Sequence, residues 1–310
     1  MTDPTAVAPE VAAPPHGTVF DIGYQRYDGP REGRGRSRLA VFKDGVRAAL
    51  GLGRGGKAKI LPWTFIGAMV AVGFILALIA GFVLRAFGPA ALDEVPSHSD
   101  FYGIASMFYL VFAAVVAPEL LCPDRRNRVI DLYLVRPLTG SDYVAARWLA
   151  FLAVALFVAW LPQLVLMVGR VMGSPDPVTY LRENWLDGPR ILAAGAAIAV
   201  FTTTLALLVA AFSSRRAYAA VFLVGLFVIS APFTMGLSQE IDGAAGQWIS
   251  MFTLSNIPVH VNDLIFGDVS AMTEEAPARE LPAGILVGWF FAWVIVPGGV
   301  LWARYRRLTP

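Results

Sequence analysis

The chain has 310 residues, of which 56% are hydrophobic and only 15% are charged. Soluble globular domains carry about 25% charged residues, so this composition excludes an ordinary soluble protein. The one cysteine, Cys122, excludes a disulfide within the chain, while the formal net charge of +2 by itself decides nothing.

The N-terminal segment has no hydrophobic periodicity. Residues 1–35 begin with a stretch rich in Ala, Pro and Val that lacks the basic start and apolar run of a signal peptide. We therefore expect 1–35 to be a largely disordered cytoplasmic segment. Residues 36–310 form the second predicted unit, a six-helix transmembrane domain.

An amphipathic helix is predicted at residues 36–52. Apolar side chains recur there at helical spacing: Leu39, Phe42, Val46 and Leu50. Arg38, Lys43 and Arg47 occupy the other faces, a pattern typical of a helix that lies in the lipid headgroup layer. The alternative is a soluble helix packed on its own domain, but the chain has no soluble domain of useful size.

The glycines that follow this helix imitate a nucleotide-binding motif. Residues 51–57 fit G-x-x-x-x-G-K, but Ala58 stands where a Ser or Thr would hold Mg²⁺. No strand precedes the glycines, so the phosphate-binding context is missing. We interpret them as a flexible joint.

Six apolar runs dominate the rest of the chain. Each is long enough to cross a hydrocarbon core about 30 Å thick as a helix. They lie at residues 60–84, 101–121, 144–169, 190–212, 217–237 and 283–303. Strand-like alternation is absent, and lipid-exposed backbone must satisfy its own hydrogen bonds, so an all-α polytopic membrane protein is predicted.

The basic residues predict the orientation of these spans. Of the 25 Lys and Arg, 20 fall on one side, whereas the opposite side carries 13 of the 23 acids. Because basic residues flanking spans stay in the cytoplasm, both termini are expected there and the cell membrane is the expected location.

The loop at residues 122–143 is the densest charged stretch between spans. Apolar residues among its arginines are too many for a freely solvated loop, so they require a surface to pack against. Eight residues are candidates for docking on a partner, the first of them just before the loop: Glu119, Arg125, Arg126, Arg128, Ile130, Leu132, Leu134 and Arg136. Thr139 and Asp142 are spaced as a capping box opening the third span. The alternative is a loop packed only on its own helix ends.

The opposite loop, residues 238–282, is long and partly apolar. Its run of apolar residues is too short and interrupted for another pair of spans, yet apolar enough to enter the outer leaflet. A re-entrant or interfacial hairpin is predicted, with Trp248, Phe252 and Leu254 in the outer leaflet or capping an exit path.

Catalytic chemistry is missing from the pattern. No acid or base lies near the middle of a predicted span, and no H-E-x-x-H or nucleophile elbow is present. The cluster Ser97 to Asp100 is interpreted as loop polarity. We therefore expect no enzyme activity, no metal and no cofactor on this chain.

The order of parts resembles the permease subunit of an ABC transporter of the type-2 exporter class. The likeness rests on the amphipathic helix, the six spans, the outer hairpin and the segment ELLCPDRRNRVIDLYLVRPLTGSDYVAARW at residues 119–148. Residues 24–35, YQRYDGPREGRG, are similar to the N-termini of actinobacterial permeases of this class. The usual Gly-Thr after the Glu of span two is replaced by Arg and Asn residues.

This resemblance implies an elbow helix at 36–52, a coupling helix in the loop 122–143, and a complex of two permease subunits with an ABC ATPase dimer. ATP and Mg²⁺ are then expected on the separate ATPase, membrane lipids are further partners, and nucleic acid is not expected. A membrane scaffold or assembly factor that does not transport is the alternative.

Overall fold

A computed structural model describes residues 29, 33–53, 55–88, 91, 95–134 and 138–307 of the chain. Over these residues it is helical and contains no strand. The predicted disordered segment 1–35 lies outside the described residues, except for residue 29 and residues 33–35. Those last residues already lead into the first helix.

Eleven α-helices and one short 3-10 helix are found in the described part of the chain. In chain order they are α1 (Arg34–Ala49), α2 (Lys57–Phe87), α3 (His98–Arg126), α4 (Ile130–Leu134), α5 (Gly140–Gly173), α6 (Pro177–Glu183), α7 (Asp187–Phe212), α8 (Arg216–Glu240), α9 (Ala244–Ser250), α10 (Asn256–Phe266), the 3-10 helix (Pro277–Glu280) and α11 (Ala283–Arg306).

Six of these helices are long and apolar enough to cross a membrane: α2, α3, α5, α7, α8 and α11. The predicted all-α architecture with six spans is therefore confirmed. Helices α2, α3 and α5 extend past the apolar runs at both ends, because polar residues continue the helical hydrogen bonding there. The chain is a multi-pass membrane protein.

Helices α3 and α7 are the most buried of the six spans and pack on each other at the centre. The large side chains of Tyr102, Phe151 and Phe201, from α3, α5 and α7, are fully buried in this core. Helices α2, α8 and α11 leave broad apolar faces exposed, as is expected of helices whose outer solvent is lipid.

Helix α2 packs along α5 through small residues. A Cβ atom added at Gly169 would lie 2.3 Å from the Cβ of Ala77, and one added at Gly173 would lie 2.2 Å from the Cα of Gly81. The two backbones therefore approach as closely as side chains permit, which is the usual way that helices associate in lipid.

The bundle has two chemically different ends. The first carries the start of α5, the ends of α3 and α7 and the last turn of α11, and its basic residues include Arg34, Arg125, Arg147, Arg216 and Arg304. We call it the arginine-rich end. The opposite end carries α6, α9 and α10 and gathers Asp100, Asp187 and Asp263, and we call it the acid-rich end.

Candidate functional site

The loop between α3 and α5 is the first candidate site, and its two ends are tightly defined. Arg128 adopts a left-handed backbone conformation with φ of 51° between α3 and α4. Such a conformation is uncommon for a residue with a Cβ, so it marks a sharp turn. At the other end Thr139 and Asp142 form the predicted capping box, which is confirmed.

Asp142 also fixes α1 to the start of α5. Its carboxylate, which is 8% exposed, pairs with Arg34 and Arg38, each at an N–O distance of 2.6 Å. One carboxylate therefore caps α5 and holds two successive turns of α1. Arg34 is the first residue of α1, and it lies two residues before the predicted start of that helix.

Arg147 lies at the centre of a second, deeper network. It is only 2% exposed, and its guanidinium reaches Asp124 of α3 at 2.7 Å and Asp44 of α1 at 2.8 Å. The hydroxyl of Tyr143 donates to the same Asp124 carboxylate at 2.6 Å. Helices α1, α3 and α5 are thus joined through one buried cation, which needs such partners to offset its desolvation.

The arginines predicted for this loop have three different outcomes. Arg125 donates to the backbone carbonyls of Ala211 and Ser213 at the end of α7. Arg126 and Arg128 are exposed, and Arg136 lies outside the described residues. Arg125 therefore stabilises a helix C-terminus, where a cation is favoured, while Arg126 and Arg128 remain on the surface.

Glu119 pairs with Arg216 at the start of α8, at an N–O distance of 2.6 Å. Arg216 comes from the next helix at the same end, which lies beside α3 because α8 packs on α3. Glu119 therefore links two spans.

The three apolar residues predicted to dock on a partner are not equivalent. Ile130 is only 9% exposed and packs in the core of the chain itself, so its assignment to an exposed docking surface needs correction. Leu134 is half-buried against the same core. Leu132, by contrast, is 67% exposed, so the outward face of α4 consists of Leu132 and the neighbouring Asp131, which is also exposed.

The predicted amphipathic helix is present as α1, but a different stripe faces the protein. Val41, Gly45 and Ala49 are its buried residues, and a Cβ atom at Gly45 would lie 2.6 Å from that of Ala150 in α5. The predicted interface residues flank this stripe: Leu39 is exposed, and Phe42, Val46 and Leu50 are half-buried. Helix α1 therefore rests on α5, with most of its apolar side chains at the edges of the contact.

The glycines after α1 form the connection into α2. Gly51 has a φ of 66°, and a Cβ atom there would lie 2.3 Å from the carbonyl oxygen of Ala58. Helix α2 starts at Lys57. The glycines thus lie in the connection between α1 and α2, and their interpretation as a flexible joint stays a prediction.

The segment between α8 and α11 contains α9, α10 and the 3-10 helix. Of its predicted membrane-facing residues, Trp248 and Phe252 are 43% and 48% exposed, and both stack edge-on against Trp289 of α11. Leu254 is only 3% exposed and belongs to the core, so it does not face the outer leaflet, and a position beside an exit path stays a prediction. Two exposed aromatic side chains remain on this segment.

A polar network beneath α10 was not anticipated from the sequence. The carboxylate of Asp263 accepts from Ser99 of α3 at 2.8 Å and from Thr273. Burial raises the pKa of Asp263 above its usual value, although these bonds act in the opposite direction. Burial also lowers the pKa of His260, on the same helix, from 6.5 to about 4. Helix α10 is therefore joined to α3 by the hydrogen bond from Ser99 to Asp263.

Residues 97–100 are also explained structurally. Ser97 and Asp100 form a capping box at the start of α3, and His98 is buried with its Nδ1 2.6 Å from the Oε1 of Gln163. The interpretation of this cluster as loop polarity needs correction, because Ser97 caps α3 and residues 98–100 form its first turn. Its individual contacts required the structure, because Gln163 comes from α5.

Carboxylates line an open cavity beside this cluster. It has a volume of about 790 Å³ and includes Asp176, Glu183 and Asp187 around Arg170, whose Nη2 donates to the carbonyl of Pro96 at 2.7 Å. Among the described residues, no group of three or more His, Cys, Asp or Glu side chains is arranged to hold a metal ion.

No protein-family model matches the chain, and no curated protein matches it.

Proposed function

We propose that this chain is the transmembrane permease subunit of an ATP-driven ABC transporter of the type-2 exporter class. It would form half of the substrate pathway together with a second permease subunit. ATP and Mg²⁺ would bind to a separate ATPase dimer, and the chain itself would catalyse no reaction and hold no cofactor.

The coupling surface would be the outward face of α4. The observation that carries the proposal is the contrast within this short helix, where Ile130 anchors it to the core and Leu132 is 67% exposed. An exposed leucine next to the exposed Arg126 and Arg128 suits a site where an apolar anchor enters a groove and cations steer the encounter.

The base of α4 would transmit the motion of the ATPase into the spans. The ion pairs of Asp142 and Arg147 join α1, α3 and α5. A displacement of α4 would therefore be transmitted to helices that ion pairs connect, in addition to their apolar packing. Two-state movement of such a connected unit is a physical route for coupling between sites.

The remaining parts fit the same arrangement. With the arginine-rich end in the cytoplasm, both termini are cytoplasmic and the location is the cell membrane. Helix α1 would be the elbow helix in the headgroup layer. Segment 238–282 would be the outer hairpin, with Trp248 and Phe252 towards lipid or an exit path.

The test is purification of the tagged full-length chain from its native membranes, followed by measurement of Mg²⁺-dependent ATP hydrolysis. We expect the wild-type chain to retain an ATPase that Leu132→Asp loses. Leu181→Asp is the matched control, since Leu181 is 46% exposed on α6 at the opposite end. A monodisperse wild-type complex without ATPase would favour a non-transporting scaffold.

A further inference from the structure

The small-residue seam between α2 and α5 opens into a groove near the acid-rich end. The groove has a volume of about 660 Å³, within the range of roughly 300–1,000 Å³ usual for ligand sites. Ala77, Gly81, Gly169 and Gly173 form its floor. Because these residues have little or no side chain, the neighbouring larger side chains stand as walls above them.

Both walls are apolar and open to the surroundings. Phe74, Leu78 and Phe82 form the wall on α2, with exposures of 53%, 58% and 67%. Leu164, Val168 and Met172 form the wall on α5, with exposures of 42%, 55% and 69%. Such a surface offers few hydrogen bonds to a polar ligand, whereas a hydrocarbon chain can pack against it.

The groove has a single charged residue, Arg85, at its mouth. Arg85 lies in the last turn of α2 and is exposed. It has no hydrogen bond or ion pair with any residue in the part of the chain that the structure describes. A guanidinium at this position can bind two oxygens of one phosphate group through two parallel N–H···O hydrogen bonds.

The length of the groove matches one leaflet. From Phe74 to Arg85 the helix rises roughly 16 Å, at about 1.5 Å per residue. That is close to half of a hydrocarbon core about 30 Å thick. A helix from a second copy would require a groove along the whole span, whereas this one ends midway and carries its cation at the headgroup level.

We propose that the groove between α2 and α5 binds one anionic phospholipid. An acyl chain lies over the glycine floor and Arg85 holds the phosphate. A headgroup with net negative charge is preferred, because a zwitterionic headgroup brings its own cation to the same place. This inference is independent of any ATPase partner, since it concerns only residues of α2 and α5.

The experiment is native mass spectrometry of the detergent-solubilised full-length chain titrated with phosphatidylglycerol or phosphatidylcholine. We expect one phosphatidylglycerol to bind more tightly than the rest. Arg85→Gln should weaken that binding about fivefold, the effect of one basic residue near an anionic surface, and Arg85→Lys should restore most of it. Arg182→Gln is the matched control, since Arg182 is also exposed at the acid-rich end.

A second variant tests the groove itself. Val168→Trp should abolish the tight binding by filling the groove, whereas Ile229→Trp on the exposed face of α8 should leave it unchanged. Three results would overturn the proposal: unchanged binding in both Arg85→Gln and Val168→Trp, equal affinity for the two lipids regardless of Arg85, or a lipid-free dimer that Val168→Trp converts to monomer.

Discussion

The two ends of the bundle use charge in opposite ways. At the arginine-rich end, Arg147 and Asp142 are buried and paired with partners on other helices. At the acid-rich end, Asp176, Glu183 and Asp187 line an open cavity. The first end is therefore cross-linked by ion pairs between its helices, whereas the second presents its charges to whatever enters the cavity.

Helix α10 qualifies this comparison, because no ion pair to it is found among the described residues. Its half-buried Asp263 accepts hydrogen bonds from Ser99 and Thr273. A partly buried carboxylate held by neutral donors is costly to ionise, so the acid-rich end is the more pH-sensitive of the two.

The largest loss of stability is expected from removing the buried cation at the arginine-rich end. Arg147→Ala removes the buried cation and leaves the largely buried carboxylate of Asp124 without it, which should lower the free energy of unfolding by about 3–5 kcal/mol. Arg34→Ala is the control, because Arg34 is half exposed and its pair should contribute about 0–1 kcal/mol. Denaturant unfolding in detergent measures both. Equal effects for the two variants would mean that the buried network does not hold this end.

The second prediction concerns the acid-rich end and pH. His260 is buried, and its pKa of about 4 lies below 6.5, so the unfolded chain takes up the proton first as the pH falls. Stability should therefore decline from about pH 6.5, with His260 accounting for roughly 2–3 kcal/mol by about pH 4.5. His260→Gln should lose less stability over that range. Parallel pH profiles for wild type and variant would contradict the assignment.

The sequence predicts the spans well because their length alone is diagnostic. It also predicts the cap at Thr139, since capping depends on residues three positions apart. It does not predict that Arg147 pairs with Asp44, because that contact depends on how α1 packs on α5. Likewise a five-residue helix has too few turns to tell that Ile130 faces inward and Leu132 outward, and the apolar run around Leu254 has no period that separates buried from exposed positions.

The smallest expected difference in stability is between variants of the two capping boxes. Thr139→Ala and Ser97→Ala should each cost about 1 kcal/mol, because both remove a side-chain acceptor at the start of a span. Asp142→Asn should cost about 1 kcal/mol more than Asp100→Asn, since only Asp142 also binds Arg34 and Arg38. Thermal unfolding of the four variants in one detergent measures this. A larger loss for Asp100→Asn would reverse the comparison between the ends.

The proposal that α4 docks on an ATPase is tested most directly by crosslinking α4 to its partner. The photo-crosslinker p-benzoylphenylalanine, introduced in place of Leu132, is activated in native membranes, and the adduct is probed with a radiolabelled azido-ATP analogue. We expect a crosslinked partner that binds the analogue from position 132, and none from position 181 at the opposite end. An adduct with an ATP-binding protein from position 181 and none from position 132 would contradict it.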